Sequence, residues 1–240
     1  MTNQDYKNAA LAALKGRWAP AVLATVVIFL LMAPYYAFSF GTQDITAAIQ
    51  ADPIGGAPSW YWWTYAGVLL FFLIVVNPAQ VGYNNACKHL LVEGDDRVTA
   101  NMFKIGFSRW LRNVWGIFLM GLKVFLWALL FIIPGLVKVF GYALTPFLLV
   151  DCPDLSPLQC IKLSDRMMKG HKFDLFYLYL SFIGWFLLGL LTLGIGYLWL
   201  TPYVETSFAS FYLDVKEQYR AQLDPPVQTP TEAPVETPAE

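Results

Sequence analysis

The chain has 240 residues, of which 57% are hydrophobic, 17% aromatic and only 14% charged, with a mean hydropathy of +0.49. No ordinary soluble domain is built this way, and the composition is that of an integral membrane protein. The 16 Lys and Arg against 17 Asp and Glu leave no basic excess, which argues against nucleic acid as a partner.

In chain order, residues 1–17 predict a cytoplasmic amphipathic helix with Tyr6, Ala10 and Leu14 on one face. The apolar stretches that follow are read against the roughly 20 residues a helix needs to cross a hydrocarbon core. Residues 18–38 form the first span, opened by Pro20, where a missing amide proton is tolerated. The 41–59 segment carries no cation and is expected outside. Residues 60–83 form the second span, with Trp60, Tyr61, Trp62 and Trp63 suited to a membrane-water interface.

The apolar region 114–150 would measure about 55 Å as a single helix and must fold back. Ile133-Pro134-Gly135 supplies the break, since proline ends the hydrogen-bond ladder and glycine takes the tight turn. Spans 114–133 and 136–150 result. Region 173–213 breaks likewise at Leu193-Gly194-Ile195-Gly196 into spans 173–192 and 197–214. The expected fold is all-α: a polytopic membrane bundle over 18–223, six transmembrane helices in three hairpins with cytoplasmic interfacial amphipathic helices. Residues 224–240, rich in Pro, Thr and Glu, are expected to be a disordered cytoplasmic tail.

Cation placement tests this topology. Fourteen of the 16 cations fall in segments that it places on one side, before span one and after spans two, four and six. The exceptions are Lys123, inside the third span, and Lys138, just past an outer turn and expected at an interface. A four-span model would move the four cations of the 151–172 loop outward. Both termini are therefore expected in the cytoplasm. The cysteines Cys87, Cys152 and Cys160 cannot all pair and lack metal-ligand spacing, so reduced cytoplasmic thiols are the simplest reading.

Two segments align with each other. Residues 129–147 match 187–203 with a two-residue gap, pairing Gly-Tyr with Gly-Tyr and Thr145-Pro146-Phe147 with Thr201-Pro202-Tyr203. Each is preceded by an amphipathic stretch expected on the membrane surface. In the first, Phe103, Phe107, Trp110 and Leu111 share a face; the second opens with the capping-box pattern Ser156-Pro157-Leu158-Gln159 and offers Leu158, Ile161 and Met168 to lipid.

The second half of the chain resembles the bacterial integral membrane proteins grouped as domain of unknown function 975. The resemblance rests on Pro134-Gly135, Asp151 with Pro153, Ser164, Met168 with Gly170, Ser181 to Trp185, Gly194-Ile195-Gly196, Pro202-Tyr203 and Phe211-Tyr212, and extends more loosely over about 4–215. It implies a bacterial cytoplasmic (inner) membrane location and supplies no activity or catalytic residue.

Ionisable groups at membrane depth are functional candidates by default. Lys123 and Glu205 are such a pair, able to line a polar site with Thr201; Asn77-Pro78-Ala79-Gln80 adds a helix break with two amides, Asn77 and Gln80. For each a structural role, as anchor or packing contact, is the competing reading. Lys104, Arg109, Arg112, Arg166, Lys169 and Lys172 form a candidate rim for anionic lipid. Asp151 ends the fourth span and is a candidate partner for Arg166, Lys169 and Lys172. Glu93-Gly94-Asp95-Asp96 reads as a solvated turn.

No GxSxG, HExxH, Walker or GxGxxG pattern occurs, and His89 and His171 stand alone. No catalytic, cofactor or metal site is expected. Two functions follow: a non-enzymatic component that binds lipid or a membrane-protein partner, or a small transporter or permease subunit.

Overall fold

In the computed structural model, residues 1–51 and 57–223 are described, and the expected tail at 224–240 lies outside them. All regular structure among these residues is helical. The elements are α1 (Asn3–Leu14), α2 (Trp18–Gly41), α3 (Gln43–Ala51), α4 (Ser59–Phe71), a π-helical turn (Phe72–Val76), α5 (Asn77–Val92), α6 (Val98–Ser108) and α7 (Trp110–Leu130). They are followed by α8 (Ile132–Tyr142), α9 (Thr145–Asp151), α10 (Pro157–Met167), α11 (Lys172–Leu180), α12 (Ile183–Leu191) and α13 (Tyr197–Leu223).

Among the described residues, five stretches are long and apolar enough to cross a membrane: Trp18–Gly41, Ser59–Val92, Trp110–Leu130, Ile132–Asp151 and Lys172–Leu191. The expected span 197–214 is not one of them. It lies inside α13, where Thr206, Ser207 and Ser210 are buried beside Phe208, Phe211 and Tyr212. This helix packs against α1, α2 and α5. Neighbouring protein, rather than apolar composition, accommodates its polar side chains.

Both breaks fall within two residues of the expected positions, but Gly135 takes no turn: it lies inside α8, packed against Ala128. Phe131, in extended backbone, separates α7 from α8, two residues ahead of the expected Ile133. The α12–α13 turn uses Leu193 and Gly194 at φ of 54° and 89°. Glycine adopts this left-handed region freely, whereas leucine does so at a cost. Asn77-Pro78 leaves a continuous helix from 59 to 92, but the π-helical turn lies immediately before it, where the proline has no amide proton to donate.

Of the segments expected to lie on a membrane surface, α1 and α10 pack into the bundle, whereas Phe103, Phe107 and Leu111 stay exposed. In α1, Tyr6, Ala10 and Leu14 are buried as one face, and the helix rests on α13. The Ser156 capping box forms as expected, with Ser156 N donating to Gln159 Oε1 at 2.7 Å. Yet Ile161 and Met168 are fully buried, so of the three side chains expected to face lipid only Leu158 is exposed. Ser164 Oγ donates to the Gly141 carbonyl at 2.8 Å, joining α10 to α8. Lys138, expected at an outer interface, instead pairs with Asp165 on α10 at 2.7 Å.

Helices α5 and α6 cross closely. A Cβ at Gly82 would lie 1.9 Å from the Met102 carbonyl oxygen, and one at Gly106 would lie 2.3 Å from that of Pro78. Only glycine permits such backbone approach. The aligned Thr-Pro pairs differ in role: Thr145-Pro146 opens α9, whereas Thr201-Pro202 lies within α13. Thr201 and Thr206 there donate to the carbonyls four residues back.

Candidate functional site

Most of the cation-rich segments are brought together at one end of the bundle. The Arg17 guanidinium lies against Gly94. Asp151, at the end of α9, pairs with Lys88 of α5 and Lys216 of α13 and accepts from the Tyr212 hydroxyl at 2.8 Å. The carboxylate and Lys88 are largely buried, with about a tenth of each side chain exposed. A carboxylate at a helix C-terminus meets the negative end of the dipole, and the two ammonium groups offset that repulsion. The partners considered from sequence, Arg166, Lys169 and Lys172, are not the ones Asp151 takes.

Arg112 also leaves the rim. Its guanidinium donates to the carbonyls of Leu149 and Cys152 (2.7 Å), which the end of α9 leaves open, and to that of Leu155 (2.6 Å) in the turn that follows. Arg109 donates to the Pro153 carbonyl at 3.0 Å while its side chain remains exposed. Lys172 lies 3.4 Å from Asp165. Burial pushes the Asp165 carboxyl up, but the Lys138 hydrogen bond and the charges of Lys138 and Lys172 outweigh it, holding the group below its usual value. Lys104, Arg166 and Lys169 are exposed and form no ion pair among the described residues.

The intramembrane candidates separate into two groups. Gln80 and Glu205 share a cluster through Asn84, which the sequence reading did not single out. With its amide nitrogen turned inward, Asn84 donates to Glu205 Oε2 at 3.3 Å and to the Gln80 carbonyl at 2.9 Å. Lys123 takes no part: it forms no ion pair or hydrogen bond among the described residues. Asn77 makes no side-chain hydrogen bond among them either, and Thr201 is spent on the Tyr197 carbonyl. Glu205 therefore faces the Asn84 amide and, among the described residues, no cation.

Another grouping that sequence separation hid is a cavity of ≈ 240 Å³ between the α10–α11 turn and the end of α13. Arg166, Lys169 and His171 line one side, Tyr219 and Gln222 the other, with Met167 and Val215 contributing apolar surface. His171 Nδ1 lies 3.2 Å from Asp174. Among the described residues no three His, Cys, Asp or Glu side chains converge as metal ligands would.

Residues 132–219 match the family described as Protein of unknown function (DUF975). The match spans α8 to α13, the half in which the sequence resemblance is most specific. No curated protein and no solved structure matches the chain. The class so defined is an all-helical protein with several membrane-capable helices, whose residues 132–219 are similar to a family of unknown function.

Proposed function

We propose that this chain is a non-enzymatic component of a bacterial cytoplasmic membrane that engages anionic lipid, or an acidic membrane-protein partner, through its cationic end. Both termini lie in the cytoplasm, and α13 makes the sixth pass, shielded by its neighbours. One observation carries the reading. The segments around Arg17, Lys88, Arg109 and Lys216 are knit together by contacts at one end of the bundle, as the positive-inside pattern requires of a common face. On this reading Arg112 and Lys172 hold the fold, and Lys104, Arg109, Arg166 and Lys169 are left for headgroups.

The test is cysteine accessibility from each side of right-side-out and inverted vesicles, using single cysteines at Lys104, Lys169 and Ser59. Labelling of the first two from the cytoplasmic face and of the third from the opposite face supports the reading. Labelling of Lys169 with Ser59 defeats it.

A transporter is the second reading, favoured by Glu205 facing Asn84 with no cation among the described residues to neutralise it. Loss of transport in Glu205→Gln, with an unchanged melting profile, would decide for it.

A further inference from the structure

We propose that the cavity between the α10–α11 turn and the end of α13 is a binding site for a phosphate-bearing anion. The proposal rests on the anionic-lipid reading above and narrows it from a diffuse rim to one pocket. Arg166 and Lys169 line the cavity, are exposed, and are engaged by no carboxylate among the described residues. The carboxylates nearest in sequence are already occupied: Asp165 holds Lys138 and Lys172, and Asp174 holds His171. No acidic side chain lines the cavity.

The donor set fits a phosphoryl group. An arginine fork pairs two oxygens in a plane, and lysine supplies a compact charge. The Tyr219 hydroxyl and Gln222 amide, on the opposite wall, add neutral donors. Unlike the rim cations Lys104 and Arg109, these exposed or half-buried groups line one half-open cavity from two helical elements far apart in sequence. At ≈ 240 Å³ the cavity is below the roughly 300–1,000 Å³ of sites that enclose drug-sized ligands, so it accepts a headgroup or free phosphate rather than a large metabolite. Met167 and Val215 give that headgroup an apolar shoulder.

The experiment uses the full chain in detergent and in vesicles, comparing wild type, Arg166→Gln/Lys169→Gln, and the rim control Lys104→Gln/Arg109→Gln. Native mass spectrometry reads retained phosphatidylglycerol against phosphatidylcholine, and thermal shift reads inorganic phosphate. Arg166 and Lys169 are solvent-exposed, so unchanged melting without ligand is expected of that pair, whereas the control gives up the Arg109–Pro153 hydrogen bond and is compared at its own melting point; Tyr219→Phe/Gln222→Ala serves as an independent variant.

A drop of about tenfold in phosphatidylglycerol retention in the pocket variants, absent from the rim control, establishes the lipid headgroup as the occupant. A phosphate-induced shift lost in the same variants, with no lipid preference, establishes free phosphate and sinks the lipid reading while the pocket stands. Equal loss of lipid in the rim control overturns the pocket but leaves the broader reading intact. Wild-type retention and shift in every variant overturn the pocket as a site.

Discussion

Two carboxylates, Asp151 and Glu205, meet the interior of this bundle on opposite terms. Asp151 is surrounded: two lysines and a tyrosine hydroxyl, from two other helices, converge on it at the end of α9. Glu205, partway along α13, is met by Asn84 and by no cation. Burial of a charge is tolerable when it is paired and hydrogen-bonded, and otherwise favours a proton or a ligand. The first carboxylate is thus a fastening that closes α5, α9 and α13, and the second is the group on which the proposed transporter reading rests.

The comparison is tested most severely at the fastening. Asp151→Ala leaves Lys88 and Lys216 facing one another and is expected to destabilise the protein by about 3 kcal/mol. Denaturant titration in detergent measures this. Adding Lys88→Met to the alanine variant should recover part of the loss, because one stranded charge is then gone; a variant that melts with the wild type would break the distinction drawn here. Arg112→Ala comes next, at about 2 kcal/mol, since one guanidinium serves three carbonyls at the end of α9 and in the turn after it. Arg112→Lys should recover little, as a single ammonium lacks the fork.

These two effects also mark what was legible in the sequence. Length, hydropathy and the approximate helix breaks were, because Pro134 and Gly194 act on their own neighbourhoods, although Gly135 proved to be a packing residue inside α8. The resemblance was specific where the family match lies, over 132–219. The fastening was not legible, because Asp151 lies 63 residues from Lys88 and 65 from Lys216, and each alone resembles an ordinary loop charge. The face of α10 was misassigned for a related reason. Amphipathicity shows that one side is apolar without showing whether lipid or protein covers it, and here α7, α8 and α9 do. Glu205 was legible as an anomaly, but its partner was not, since Asn84 looked like any helical amide.

A third expectation concerns pH and a partly exposed group, so its effect is smaller. Asp165 is more acidic folded than its usual value of 3.8, because of Lys138 and Lys172. A depressed folded value means that the carboxylate adds stability above the unfolded value, and that this is lost as pH falls through the folded one. Stability profiles from pH 7 to 3 should therefore fall more gently in Asp165→Asn than in wild type over the acid limb. Parallel profiles would show that the Asp165 pairs contribute nothing measurable.

The smallest expected change in stability falls at Glu205. Glutamine there keeps the shape and an acceptor for the Asn84 amide, and no cation is stranded by the loss of charge. Glu205→Gln should shift stability by less than about 0.5 kcal/mol, in contrast to the analogous Asp151→Asn. Lys123→Gln should be equally mild, and the double variant should equal the sum of the singles, because the two residues do not touch. A coupling between them above about 0.5 kcal/mol would restore the ion pair suggested by the sequence. A marked gain in stability from Glu205→Gln would instead show that the bare carboxylate is held against its own desolvation. Such a gain would support the transporter reading, in which a proton or a cation from outside the chain meets the carboxylate.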